Sequence, residues 1–346
     1  MSNEKLRIGF IGAGGNTTSR HIPGFQSLNN IELTAVCNRT IESSTRVANQ
    51  FGIEKVVNKP EDIFDSPEID AVCIGTWPYR HSEYSIAALQ SGKHVLCEAR
   101  MAMNVTEAES MLAIAKKHPN LVAQIVPAPM DLPVWQTVRR LINEQKIGEL
   151  REVHVDVLNG TAIDETLPLH WRHQKKYSGM NIMMFGIFAE IVTRWTGKTK
   201  SLVADAQVFI PSRNDTESGK LVQIEIPDSL GVFAKLESDI RVTYRISTVI
   251  NDKPSTSISL YGSEATLHWD GRDHLTLSNS QSEKEIIPAD TQTAIGWNVE
   301  ADFVSSIREN NPVQLTNFED GLHYMKITEA VNRSLINHSQ VNLDAL

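Results

Sequence analysis

The sequence is poor in the features that mark secreted, metal-clustering, nucleic-acid-binding or membrane proteins. It has three cysteines in 346 residues, Cys37, Cys73 and Cys97. They lack metal-ligand spacing and cannot all pair, which excludes a disulfide framework and fits a reducing cytoplasm. Each ends an expected strand, where it reads as a small buried apolar residue. Positive charge is scarce: 33 Lys and Arg against 42 Asp and Glu give a net charge of −9. That argues against a nucleic-acid or acidic-membrane partner, which would need a basic stripe. No apolar run approaches the roughly 20 residues that span a bilayer. The polar start Met-Ser-Asn-Glu-Lys fits no signal peptide. Repeats and low-complexity linkers are missing too. What remains is an ordinary soluble composition, with 41% hydrophobic and 22% charged residues, in a chain long enough for two cores.

The most informative stretch lies near the start. Leu6, Ile8, Phe10 and Ile11 form an apolar run that breaks into Gly12, Gly14 and Gly15, followed by Asn16 and Thr17. This reads as a buried strand, a tight turn, and a helix starting near 17–19. Such a helix aims free N–H groups and its positive dipole end at the turn, an arrangement that holds a pyrophosphate. The pattern is G-x-G-x-x-Thr, so the third glycine is missing.

Strand and helix signals then alternate. Strands are expected at 32–37, 69–74, 94–97 and 121–125, with helices at 42–51, 81–89 and 106–117. A Thr-x-x-Glu start (Thr106, Glu109) marks the last of these helices. Alternation of this kind predicts an α/β fold with a doubly wound parallel sheet. Ligands of such sheets sit beyond the carboxyl ends of the strands, where Asn38, Thr76 and Glu98 fall. A helix over 134–144 follows. Period-two alternation over 151–158 and much of 201–277 then predicts a second, α+β domain with an open, mostly antiparallel sheet. A helix at 182–195 interrupts it, and helices at 300–309 and 318–337 end the chain. The stretch 211–220 reads as an exposed loop. We expect a dinucleotide-binding domain over 1–126 and a substrate-binding and oligomerisation domain over 127–346, the last helices packing back on the first domain as an alternative.

The order of these pieces resembles the Gfo/Idh/MocA oxidoreductases, the glucose–fructose oxidoreductase and inositol dehydrogenase superfamily, over nearly the whole chain. The matching stretches are Ile8 to Gly15, Ile69 to Thr76 with His81, Ala88 to Glu98, Ile147-Gly-Glu, Trp171-Arg172, and Phe318-Glu-Asp-Gly-Leu. The resemblance implies a Rossmann domain binding NAD or NADP, a carbohydrate-like substrate, and a homodimer or homotetramer built on the C-terminal sheet. The departures are as informative. The family's Glu-Lys-Pro motif falls on Glu98-Ala99-Arg100, and its later Asp and His positions fall on Met184 and Phe188. Three usual proton-handling positions are thus apolar.

Several residues become candidates against this background. Arg39 stands where NAD-preferring domains place an acid, and a guanidinium pairs with a 2′-phosphate, so NADP is favoured over NAD. Thr76 and His81 are implied to line the nicotinamide end. Trp77 either walls the cofactor or packs between loop and helix. Arg100 cannot act as a base; it binds an anionic substrate group or pairs with Glu98. The cluster His170, Trp171, Arg172, His173, Lys176, Tyr177 is implied to face substrate, the other reading being a basic surface loop. There His173 is the expected general base, with Tyr177 and Lys176 as relay. His170, Arg172 and Asn181 are expected to bind substrate. Glu190 reads as a partner of Arg194. No third ligand follows His170 and His173, so no metal is expected. The expected activity is hydride transfer between nicotinamide and a secondary alcohol or ketone of a sugar or polyol. The alternatives are a redox-neutral, NAD-dependent glycosidase or lyase, and a cofactor-binding pseudoenzyme with a scaffold role.

Overall fold

The computed structural model describes residues 5–272, 274–290, 292 and 295–346, with the main chain alone at 282 and 283. They divide into two compact units. One holds the chain up to Pro127 together with Asn298–Met325; the other holds Ala128–Trp297 and Lys326–Leu346.

The first unit is built on six parallel strands: β1 (Leu6–Ile11), β2 (Ile31–Cys37), β3 (Lys55–Val56), β4 (Ala71–Ile74), β5 (His94–Cys97) and β6 (Ala123–Ile125). Their order is β3-β2-β1-β4-β5-β6, with the reversal of direction beside β1. Helices on both faces leave β4 buried along its whole length, which is why its sequence is an uninterrupted apolar run. Helix 41–51 shows how local chemistry sets the boundaries. Thr40 caps its start by accepting from the Ser43 amide, and Gly52 ends it in the left-handed region at φ 70°. The expected cap of helix 105–117 moves. Asn104, not Thr106, accepts from the Glu107 amide, while the Glu107 carboxylate reaches back to the Met103 amide.

Helix 299–309 belongs to this unit. Phe303 is fully buried and meets Phe25 edge-on at 6.3 Å, and Phe25 meets Phe10 of β1 at 6.0 Å. Each edge-to-face pair adds about 0.5–1.5 kcal/mol beyond the area it buries. This aromatic stack seats Glu300, one turn before Phe303, within the first unit.

The second unit carries a nine-stranded sheet: β7 (Leu150–Leu158), β8 (Thr199–Gln207), β11 (Ser229–Leu236), β12 (Arg241–Ser247), β13 (Ser255–Gly262), β14 (Thr266–Trp269), β15 (Leu275–Asn279), β16 (Ser282–Ile287) and β17 (Val341–Asn342). Only β7 and β12 run parallel to each other; the other pairings are antiparallel. The stretch expected as a loop at 211–220 instead contributes to a two-stranded ribbon, β9 (Ser212–Asn214) with β10 (Leu221–Gln223). Alternation places Val153, Val155, Tyr244, Ile258 and Trp269 on a buried face, under helix 185–196 and the later turns of helix 318–337. On the other face the register aligns Val203, Phe233, Thr243, His154, Ser259 and His268 in one row. There Phe233 is 60% exposed.

Candidate active site

In the first unit β1 ends at Ile11 and the chain turns through Gly12 at φ 76°. A Cβ on Gly12 would lie 2.5 Å from Thr76, so this glycine is required by both its dihedral and its neighbour. Gly14 and Gly15 differ. A Cβ on Gly14 would meet only the Gly12 carbonyl oxygen at 3.8 Å, and one on Gly15 would meet nothing within 4 Å. These two glycines border an open cradle at the start of the following helix, whose first amides have no intrahelical partners.

The missing third glycine has a structural answer. Thr17 occupies its position and is buried, its hydroxyl packed where Gly75 lacks a side chain. Close approach of helix and sheet is thus kept by moving the glycine to β4's exit. A Cβ on Gly75 would sit 2.0 Å from the Thr17 oxygen and 2.7 Å from the Gly12 carbonyl. Gly75→Ala should therefore destabilise the protein by about 1–3 kcal/mol. Thr17→Gly should restore only part of it, since the carbonyl clash remains. Denaturant unfolding of the single and double variants measures both, and a neutral Gly75→Ala would refute this packing.

The expected cofactor residues take varied roles. Asn38 braces the loop: its Oδ1 accepts from the Ala13 amide at 2.6 Å and its Nδ2 donates to Ser43. Asn16 turns its amide to Glu98, not to the cradle. Arg39 is exposed on the turn after β2. Thr76 follows β4, and its buried Oγ1 has no hydrogen-bond partner among the described residues. His81, expected at the nicotinamide end, is wholly buried. Its Nδ1 lies 2.8 Å from the Arg100 carbonyl and its Nε2 2.9 Å from the Thr76 carbonyl. It ties those two loops together. Burial pulls this imidazole below its ordinary value, against the two carbonyls that favour the cation. The Ala99–Arg100 peptide is cis.

Two site residues escape the sequence reading. His21, wholly buried, lies one helical turn beyond Thr17. Its Nδ1 is 2.5 Å from Glu300 Oε1 and its Nε2 is 3.0 Å from Glu98 Oε1. Burial opposes charge on the ring, but hydrogen bonds to both carboxylates outweigh it and raise His21 to about 9. Burial opposes charge on Glu98 too and by itself would raise it. Its bonds to His21 and Asn16 prevail and hold it below the usual carboxylate range. Glu98 Oε2 also accepts from the Ala99 amide at 3.2 Å.

The second unit carries the other candidates. His170, Arg172 and Lys176 are exposed, Trp171, His173 and Tyr177 half-buried, and Asn181 buried. Arg172 stacks on Trp171 at 4.4 Å, and the Lys176 ammonium lies 4.7 Å from the Tyr177 ring. Asn181 donates to the Ser178 carbonyl at 2.7 Å. His173 fits poorly as a general base. Its Nδ1 accepts from the His170 amide at 3.3 Å, leaving the neutral ring's proton on Nε2. Burial, with Arg213 and His170 nearby, lowers it to about 4, far from the value that suits a base near neutrality. In this state its Nε2–H is available as a donor and the ring has little affinity for a further proton. Phe188 lies in the core and Met184 packs against it, so neither position handles a proton. Glu190 pairs with Arg194 at 2.5 Å, in a buried network with Asp131 and Trp195.

The first unit's geometry fits a dinucleotide: an open glycine cradle at a helix N-terminus, an orphaned buried hydroxyl on Thr76, and an exposed cation on Arg39. No helix among the described residues is long and apolar enough to cross a membrane. Comparison with known proteins agrees. Residues 6–125 match the family model described as an oxidoreductase family with an NAD-binding Rossmann fold, and residues 135–268 match the GFO/IDH/MocA C-terminal domain. An uncharacterised oxidoreductase of Synechocystis is 25% identical over 76% of this chain and 71% of its own length. The levoglucosan dehydrogenase of Pseudarthrobacter phenanthrenivorans is 29% identical over 47% of this chain and 40% of its own. A solved structure of levoglucosan dehydrogenase in complex with NADH and L-sorbose superimposes with a TM-score of 0.89 at 21% identity, covering 98% of this chain and 99% of that one. On fold, glycine cradle and both matched domains, the chain belongs to the Gfo/Idh/MocA family of NAD-binding oxidoreductases.

Proposed function

We propose that the protein oxidises a secondary alcohol of a sugar, polyol or anhydrosugar, passing hydride to a nicotinamide dinucleotide. The observation that carries this reading is the cradle at Gly14 and Gly15 beside the orphaned Thr76 hydroxyl. The levoglucosan dehydrogenase relative supports the carbohydrate class. When bound, the dinucleotide supplies the redox step. The chain supplies the rest. Gly12, Gly14, Gly15 and the helix start receive the pyrophosphate, Asn38 and His81 hold the flanking loops in shape, and Glu98 and Thr76 meet the nicotinamide half. Trp77 walls the same half. The lost lysine at Ala99 removes the family's proton handler. Tyr177, acting as the phenolate with the Lys176 cation beside its ring, takes the alcohol proton in its place and becomes the neutral phenol. His173 donates a hydrogen bond from Nε2. Arg100, His170, Arg172 and Asn181 bind the substrate's polar groups.

Arg39 favours NADP, since no carboxylate occupies the turn and its guanidinium suits a 2′-phosphate. Arg39→Ala should weaken NADPH binding by about 1.5–3 kcal/mol, one charge-assisted bond, and leave NADH nearly unchanged. Calorimetry with both cofactors reads this directly; equal losses for the two would remove Arg39 from 2′-phosphate recognition.

The half-exposed row on the C-terminal sheet, which includes the 60% exposed Phe233, supports a homodimer or homotetramer through that face. Three buried free thiols suit a cytoplasmic setting.

A further inference from the structure

The apolar substitution at Ala99 leaves Glu98 without a neighbouring lysine, yet the structure does not leave that carboxylate loose. Its Oε1 is held by His21 and Asn16, its Oε2 by the Ala99 amide. His21 is held in turn by Glu300 at 2.5 Å. Space for Glu300 depends on Gly24, where a Cβ would lie 2.5 Å from the Glu300 carboxylate. Three elements thus converge on one ring: the helix after the cradle, the end of β5, and helix 299–309. The ring is fully buried, whereas the Glu98 side chain remains 16% exposed. A buried ring flanked by acceptors on both nitrogens satisfies both only as the cation.

We propose that His21, braced by Glu300, is a positioning residue for dinucleotide binding: its imidazolium fixes the Glu98 carboxylate in the orientation that receives the nicotinamide half. This rests on the reading of the cradle as a dinucleotide site. The ionised ring is the cation the cluster relies on. Without its proton, two carboxylates, Glu98 and Glu300, are left facing a neutral ring, and Glu98 keeps only the Asn16 side chain and the Ala99 amide. The titratable groups around the ring are Glu98 from β5, Glu300 from helix 299–309, His81 and Cys73 through their coupling to Glu98, and Asp302 through its coupling to Glu300. With the ring titrating near 9, the anchor is complete at neutral pH and fails as pH rises through that value.

The test has two readouts. Ring-nitrogen NMR of the cofactor-free protein, with the His21 signal assigned by its absence in His21→Gln, should show a doubly protonated ring at neutral pH. NADH titrations across neutral to alkaline pH should show wild-type affinity falling on the order of tenfold, the loss of one charge-assisted bond, as the ring deprotonates. His21→Gln should bind NADH more weakly and with a flat pH profile. Glu300→Gln, which leaves one anion facing one cation, should keep the fall in affinity but move it to lower pH. A neutral His21 ring at neutral pH, or identical pH profiles for wild type and His21→Gln, overturns the proposal while leaving the family assignment intact. Failure of the wild type to bind either NADH or NADPH at neutral pH overturns the dinucleotide reading itself, and the positioning role with it, whatever the NMR shows.

Discussion

Replacing Gly14 by valine should abolish dinucleotide binding, weakening it by at least about a hundredfold, in a protein that stays folded. Both halves of this expectation follow from one geometry. In the cofactor-free chain the added Cβ meets only the Gly12 carbonyl oxygen, at 3.8 Å, an ordinary contact. Gly14 does not adopt a positive φ, so an added side chain meets no left-handed strain there. Stability should therefore change by little. The side chain instead fills the volume that a pyrophosphate needs to reach the helix amides. Gly12 cannot serve for this test, because its Cβ would collide with Thr76 and its φ is 76°. Calorimetric titration with NADH and NADPH, alongside thermal unfolding, separates the two effects. Unchanged binding in folded Gly14→Val would place the phosphate site elsewhere.

The second large effect concerns the proton that must leave the substrate hydroxyl. Ala99, Met184 and Phe188 cannot accept it. His173 is already committed, its Nδ1 to the His170 amide, and its affinity for a proton is low. Arg172 never deprotonates. Tyr177 of that segment has a cation beside its ring, which favours the phenolate, the form that can accept the proton. Tyr177→Phe should then lower turnover by at least about 10², the low end of general acid–base catalysis, with cofactor affinity unchanged. His173→Ala should cost only about tenfold, the worth of a neutral hydrogen bond. The acid limb of the rate profile should show no step near the usual histidine value, because His173 stays neutral down to about pH 4. Kinetics of both variants on a turned-over substrate decide the matter. A larger loss in His173→Ala than in Tyr177→Phe would restore His173 as the base.

Much of the fold is legible in the sequence because two different periodicities write it. Strands β1, β4 and β5 are buried on both faces and read as apolar runs stopped by glycine or polar residues. Strands β7, β11 and β12 bury one face and alternate. Legibility fails toward the sheet's edge. Leu-Thr-Leu-Ser-Asn in β15 carries too little apolar contrast to separate strand from loop, and β16 lies beyond the alternation that 201–277 displays. The site divides in the same way. Its glycines announce themselves through their neighbours in sequence. The compensation between Thr17 and Gly75, 58 residues apart, and the pairing of His21 with Glu300, 279 residues apart, depend on tertiary contact. His21 follows the polar run Asn16 to Arg20 and carries no sequence signal of its own, and helix 299–309 reads as part of the later domain. The aromatic stack of Phe10, Phe25 and Phe303, with the His21–Glu300 pair, reveals where it belongs.

The central claim is net hydride transfer from a carbohydrate-type alcohol. Its most direct measurement is the near-ultraviolet absorbance of reduced nicotinamide when the protein is mixed with NAD or NADP and a panel of sugars, polyols and anhydrosugars. The expected result is a substrate-dependent rise in absorbance with at least one of them, lost in Gly14→Val. Saturable dinucleotide binding with no rise across the whole panel would contradict it.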